Sequence, residues 1–114
     1  MNHAQLQAGI VALALELGLH CHHCPMLTSS PGFPDLLIIG DRGVLWRELK
    51  VPPDRLTSEQ RALGYRLQAA GQNWAVWRPH DWDSGLINRE LVNLINVELR
   101  CGEEAVKHYV TDGM

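Results

Sequence analysis

Hydrophobic residues near the N-terminus recur at the spacing of one buried stripe on a helix. They stand three or four positions apart, at Leu6, Ile10, Leu13 and Leu17. The glycine that follows, Gly18, is a residue that commonly ends helices. The pattern therefore predicts an amphipathic helix over residues 3–17.

The spacing changes in the middle of the chain, where a hairpin is predicted. Two apolar runs, residues 35–39 and 44–51, flank the turn sequence GDRG. In both runs, apolar residues point to each of the two faces of the predicted sheet. This is typical of central strands covered by helices on both sides. A short strand near residues 19–24 and a loop over residues 25–34 are predicted before them.

The second half of the chain predicts a helix, a strand and a final helix. TSEQ reads as a capping box with Thr57 as N-cap and Gln60 at N3, and it opens a helix that ends at Gly71. NWAVWRP is a strand, and Asp81 or Asp83 caps a last helix of about 16 residues. The order α-β-β-β-α-β-α predicts one α/β domain over residues 1–100, with a mixed central sheet flanked by helices, and a tail over residues 101–114.

Composition and charge narrow the class of protein. The 114 residues suit a single domain. A net charge of −3 argues against a generic nucleic-acid-coating protein, but eight of the ten Lys and Arg fall between Arg42 and Arg89, which indicates a local basic face. Three cysteines favour a reduced, cytoplasmic protein. No apolar run approaches the roughly 20 residues of a membrane span.

Three charged residues interrupt the predicted hairpin, and their placement depends on its register. Charges in strands buried on both faces are costly unless they are paired. Glu48 and Lys50 share a face because side chains alternate along a strand. A four-residue loop pairs Ile39 with Val44 and sets Asp35 opposite Glu48, whereas a two-residue loop sets Asp35 opposite Lys50. A loop of three residues turns Asp35 to the other face.

An even loop therefore predicts two carboxylates and an ammonium together at one end of the hairpin. Carboxylates that close repel each other, and a divalent cation such as Mg²⁺ offsets the repulsion. A lysine beside them can steady a nucleophilic water or a phosphate oxygen, which is the chemistry of metal-assisted phosphodiester hydrolysis. On these residues alone, a structural ion-pair network at the strand end is an equal alternative.

Five blocks of sequence carry a resemblance to a known family. In order they are PGFPDLLIIG, ELK, LTSEQ, LQAAGQNWAVWRP and DWDSG. With Pro34-Asp35 and Glu48-Leu49-Lys50, they resemble the small, free-standing VRR-NUC branch of the PD-(D/E)XK nuclease superfamily, common in phages and their bacterial hosts. The resemblance covers most of the chain, from about residue 6 to residue 94.

That resemblance implies a fold and an activity. The fold is a restriction-endonuclease-like α-β-β-β-α-β core. The activity is a Mg²⁺- or Mn²⁺-dependent DNA endonuclease, selective for branched or flapped DNA. A homodimer in the cytoplasm of a bacterial cell is the expected assembly.

The resemblance also implies roles for individual residues. Asp35 and Glu48 would be metal ligands together with the backbone carbonyl of Leu49, and Lys50 would be the catalytic lysine. Gln60 matches a glutamine that the family carries on the next helix. Its stripe position predicts that it faces the sheet, although a capping role is compatible with this only if the side chain moves.

The chain departs from the family at the first helix. Relatives often carry a metal-binding glutamate there, and here His3 or Gln5 takes its place. His3 lies on the apolar stripe and is the candidate substitute. Beside the motif, Arg55, Arg61 and Arg66 are the candidates for phosphate contacts.

Two other classes of protein compete with the nuclease. The missing glutamate and the negative net charge motivate a catalytically weak or inactive nucleic-acid-binding module on the same fold. A zinc-binding interaction protein rests only on the spacing of Cys21 and Cys24, since no second pair follows at a suitable distance.

Overall fold

The computed structural model describes residues 1–24 and 31–98. The predicted tail over residues 101–114 and part of the predicted loop, residues 25–30, lie outside these ranges. In the described part of the chain, no helix is long and apolar enough to cross a membrane. The helices and strands follow the predicted order, with one division at the end: α1 His3–Glu16, β1 His20–His23, β2 Leu36–Gly40, β3 Gly43–Leu49, α2 Ser58–Ala69, β4 Asn73–Trp77, α3 Pro79–Asp83 and α4 Leu86–Val92.

The strands form a mixed sheet in the order β1-β2-β3-β4. β2 runs antiparallel to both β1 and β3, whereas β4 runs parallel to β3. This confirms an α/β protein with a mixed sheet flanked by helices. In the hairpin Ile39 pairs with Val44 and Leu36 with Arg47, so the next position outward sets Asp35 opposite Glu48. This is the register predicted for the four-residue loop, but the loop itself is shorter, because Gly40 also pairs with Gly43 and only residues 41–42 join the strands. The expectation that a two-residue loop sets Asp35 opposite Lys50 is therefore wrong.

The core lies on one face of the sheet, beneath α1 and α4. Alternation along the strands sends Leu36, Ile38, Leu45 and Leu49 to this face. On α1 the fully buried residues are Leu6, Ile10 and Ala14, while Leu13 and Leu17 pack only at the edge. The buried stripe thus follows the i, i+4 row from residue 6 to residue 14, which is inclined to the helix axis, rather than returning to residues 13 and 17.

The opposite face is covered by α2, which packs mainly on β4. Contact is close at Gly64, where an added Cβ would lie 2.4 Å from ring atoms of Trp74. Over β2 the face is more open, and Ile39 is 40% exposed. Helical cover of this face is therefore incomplete over β2, because α2 lies toward the other edge of the sheet.

The predicted last helix is divided into α3 and α4. It begins at Pro79 after Arg78, and Asp81 lies within its first turn, where its carboxylate accepts the backbone N–H of Arg78 at 2.8 Å. Gly85 adopts a left-handed φ of 83°, which breaks the helix between its two parts. The prediction of one uninterrupted helix with Asp81 or Asp83 as N-cap is therefore wrong.

Candidate active site

A cleft of about 490 Å³ opens where the hairpin meets the starts of α1 and α2. Asp35 directly precedes β2, and Glu48 and Leu49 end β3, so the register brings the predicted acids to the same end of the hairpin. The cleft is lined by every predicted catalytic and metal-binding residue, namely His3, Asp35, Glu48, Leu49, Lys50 and Gln60.

Asp35 is held by the backbone on both sides of its strand. Its Oδ2 accepts the backbone N–H of Leu49 at 2.8 Å, and its carbonyl oxygen accepts the N–H of Cys24 at 2.8 Å. Its side chain is only 21% exposed. The carboxylate is thus fixed against the end of β3 rather than free to rotate into solvent.

Of the two candidates on the first helix, His3 reaches the site. Its Nε2 lies 3.5 Å from Oδ2 of Asp35. Gln5 instead completes the capping box of α1, where its Oε1 accepts the N–H of Asn2 at 2.8 Å. Gln5 is therefore occupied by the helix terminus, and His3 is the residue placed to support the carboxylate.

Glu48 is the most deeply buried acid of the cleft, at 3% exposure. Its Oε1 accepts a hydrogen bond from Nε2 of Gln60 at 3.0 Å, whereas its Oε2 is buried without a partner. Three effects raise the pKa of Glu48 to about 8: burial, which is the largest, then a hydrogen bond with Asp35, and then repulsion from the charge of Asp35. The positive charge of Lys50 acts in the opposite direction. A hydrogen bond between two carboxyl groups requires a shared proton, so Oε2 is left unpartnered once both acids are ionised.

Gln60 holds Glu48 and caps α2 at the same time. Its Oε1 accepts the backbone N–H of Thr57 at 2.9 Å, while its Nε2 donates to Glu48. The expectation that the two roles require movement of the side chain is therefore wrong, because the acceptor and donor ends of one amide serve them separately. The prediction that Gln60 faces the sheet is confirmed.

Lys50 supplies the positive charge of the site. Its backbone N–H donates to the carbonyl of Trp77 at 3.1 Å, which ties the residue to β4 just beyond the end of β3. The half-buried side chain lines the cleft and lowers the pKa of Glu48 by its charge. Within residues 1–24 and 31–98 its ammonium forms no ion pair, so it remains available to a ligand.

The three arginines predicted to contact phosphates lie outside the lining of the cleft. Arg55 precedes α2, and Arg61 and Arg66 lie on it, all of them exposed to solvent. Arg47, which the sequence count placed among the basic residues of a local face, is 1% exposed and binds Glu90 instead. Strand alternation could have shown this, because Arg47 must face away from Glu48 and toward the core.

Sequence reasoning missed several residues that line the cleft. Asp54 and Glu59 add exposed carboxylates at its rim, and Cys24 and Phe33 contribute to its walls. Burial and the nearby charge of Asp35 raise the pKa of Cys24. The position of Phe33 two residues before Asp35 was the available signal for that residue, whereas Asp54 and Glu59 are brought in by the fold.

The fold and cleft together define an α/β protein with paired carboxylates and a lysine at one end of a mixed sheet. No family model, curated protein or solved structure matches the chain. Among the described residues, no three His, Cys, Asp or Glu side chains are grouped in a way that could hold a metal ion by themselves. The chemistry of the cleft is thus the basis on which a function can be argued.

Proposed function

We propose that the chain is a divalent-metal-dependent phosphodiesterase that hydrolyses DNA. The observation that carries this proposal is Oε2 of Glu48, a buried carboxylate oxygen without a protein partner beside the second carboxylate of Asp35. Buried polar atoms are rarely left unpaired without a functional reason. The resemblance of Pro34-Asp35 and Glu48-Leu49-Lys50 to the PD-(D/E)XK motif implies the same activity on a restriction-endonuclease-like core.

The donor set fits Mg²⁺ or Mn²⁺. Asp35 and Glu48 offer hard carboxylate oxygens, and the carbonyl of Leu49 is the third protein ligand implied by the resemblance. Mg²⁺ commonly takes one or two carboxylates and fills its other positions with water and phosphate oxygens, so a third acidic side chain is not required. When bound, such a cation activates a water molecule and shields the charge of the phosphate.

The residues of the chain prepare this site before DNA arrives. The N–H of Leu49 orients Asp35, and the amide of Gln60 orients Glu48 so that its Oε2 remains free. The ammonium of Lys50 can donate to the attacking water or to the phosphate oxygen on which charge develops. His3 supports Asp35 from the start of α1, in place of the glutamate found in relatives of the proposed family.

DNA is the proposed substrate, with branched or flapped structures preferred. Arg61 and Arg66 on the exposed side of α2, and Arg55 just before it, would bind phosphates, which positions a strand without reading its sequence. A homodimer would present a cleft to each strand of a branched substrate.

Cleavage assays with matched variants test the proposal. Labelled linear, nicked, flapped and four-way DNA would be incubated with the protein in Mg²⁺ or Mn²⁺ and in chelator. Glu48→Gln and Lys50→Ala should abolish cleavage, whereas Glu59→Gln removes an exposed carboxylate from the rim of the same cleft and should preserve it. Cleavage that survives Lys50→Ala would show that another site or a contaminant is responsible.

The presence of His3 where relatives carry a first-helix glutamate favours one competing function, a non-catalytic nucleic-acid-binding module. Metal binding separates the two. A nuclease site should raise the melting temperature as Mn²⁺ is added, since a ligand that binds only the folded state stabilises it. A binding module should show DNA binding with neither cleavage nor a response to Mn²⁺ that depends on Glu48.

A further inference from the structure

Phe33 lies on the wall of the cleft, two residues before Asp35, and is 42% exposed. Among the described residues that line the cleft, it is the sole Phe, Tyr or Trp. A phenylalanine whose role is packing is usually buried, because exposure forgoes much of the free energy gained from its apolar surface. Its exposure beside the acidic pair therefore calls for a ligand with an apolar face.

The backbone on both sides of Phe33 is held in place. Gly32 has a φ of 82° and packs so closely on the first turn of α2 that an added Cβ would lie 2.4 Å from the carbonyl carbon of Glu59. On the other side, Pro34 is fully buried. Phe33 is thus presented to the cleft from a fixed turn, so ordering its side chain when a ligand binds costs little entropy.

The ring of Phe33 is oriented by Trp46. The two ring centroids are 5.7 Å apart, with the planes at 87°, in an edge-to-face contact. The indole N–H of Trp46 in turn donates to Oε1 of Gln72 at 3.1 Å, which fixes the supporting ring. In an edge-to-face pair at most one face of either ring is covered, so Trp46 leaves at least one face of Phe33 open.

DNA bases can offer an apolar face to Phe33 only where they are unpaired. Every base in a duplex interior is stacked on both faces, and withdrawing one costs a few kcal/mol. An unpaired base has a free face, and stacking on an aromatic side chain stabilises binding by about 1–3 kcal/mol. A flap, an overhang or a gap therefore offers Phe33 a base with a free face, which a continuous duplex does not.

We infer that Phe33 stacks on an unpaired base next to the scissile phosphate and so selects DNA with an unpaired nucleotide at the cut. This inference rests on the proposed nuclease function and deepens it. It makes Phe33 a specificity-determining residue rather than a catalytic one, since the ring carries no group that transfers a proton or binds the metal.

Binding measurements in a Lys50→Ala background, where DNA stays intact, test the inference in Mn²⁺. Adding Phe33→Leu should weaken binding of flapped DNA by about 5- to 150-fold, the factor that corresponds to one lost stack. Binding of continuous duplex should be unchanged, and Phe33→Tyr should retain both affinities. Tyr65→Leu is the matched control, because it removes an aromatic side chain that is 59% exposed on α2 but does not line the cleft.

A second measurement needs no change at Phe33. An abasic site is moved one nucleotide at a time through the flap, and one position near the junction should weaken binding to the protein that retains Phe33. In the Phe33→Leu protein the same abasic site should have no effect, because the stack is already lost. Equal losses for flapped DNA and duplex, or the absence of any sensitive position, would overturn the inference while leaving the nuclease proposal standing. A protein that neither binds nor cleaves any of these DNAs would overturn both.

Discussion

The side-chain amide of Gln60 joins the first turn of α2 to the acid Glu48. Its Nε2 donates to Oε1 of Glu48 at 3.0 Å while its Oε1 accepts the N–H of Thr57 at 2.9 Å. A residue that caps a helix is held by that helix, so the position of Glu48 depends on how well α2 begins. The same bond occupies one oxygen of Glu48 and leaves the other for a ligand.

Removing the two members of this capping box should separate its effects. Thr57→Ala and Gln60→Ala should each lower the free energy of unfolding by about 0.5–2 kcal/mol, because each removes a cap. Only Gln60→Ala also releases Glu48, and we expect it to weaken Mn²⁺ binding by about 10-fold or more, as loss of an orienting partner does. Urea unfolding and Mn²⁺ titration of the melting temperature measure these effects. Equal losses of Mn²⁺ affinity in the two variants would show that Gln60 acts only on the helix.

The stability of the metal-free protein should depend on pH through Glu48. Its pKa rises from an ordinary value of 4.5 to about 8 on folding. The folded state therefore holds a proton that the unfolded state releases, and the free energy of unfolding should fall as the pH rises from about 4.5 to about 8.

Glu48→Gln is the control for this pH dependence. It should flatten the decline and melt higher than the wild type above about pH 8 in chelator, since no charge is buried. Melting curves across this range make the comparison. Parallel curves for the two proteins would show that Glu48 does not titrate in this interval.

Two substitutions of Asp35 should have opposite effects on the metal-free protein. Above about pH 8, where both acids are ionised, Asp35→Asn removes repulsion from Glu48 and keeps an oxygen for the N–H of Leu49, so it should melt no lower than wild type in chelator. Asp35→Leu leaves that N–H without its acceptor and should cost about 1–3 kcal/mol. Both should lose the stabilisation by Mn²⁺. If Asp35→Asn melts several degrees lower in chelator, Asp35 is mainly a structural ion-pair partner.

Gly64 should resist even the smallest side chain. Alanine is favoured over glycine by about 1 kcal/mol in a helix, but its methyl group would clash with the ring of Trp74. Overpacking of this kind costs about 1–3 kcal/mol, so Gly64→Ala should lower the free energy of unfolding measured in urea. In a Trp74→Leu background the same change should be neutral or stabilising, and a loss of equal size there would contradict a clash with the indole ring.

Local patterns of the sequence were enough to predict most of the secondary structure. Helical spacing identified α1, and TSEQ identified the start of α2, because both depend on residues within one or two turns. Alternation in the hairpin limited Asp35 to a few registers, of which the structure adopts the one that sets it opposite Glu48. The division between α3 and α4 was missed, since the sequence does not show that Gly85 takes a left-handed conformation rather than continuing the helix.

The sequence by itself determined the order of the elements and the identity of the acids, because these follow from periodicity and from residue type. The tertiary structure decided which distant groups meet them: His3 at Asp35 and the amide of Gln60 at Glu48. It also decided that Arg47, which strand alternation turns toward the core, pairs there with Glu90. Such contacts join segments far apart in the chain, and only the packing of the helices on the sheet sets their distances.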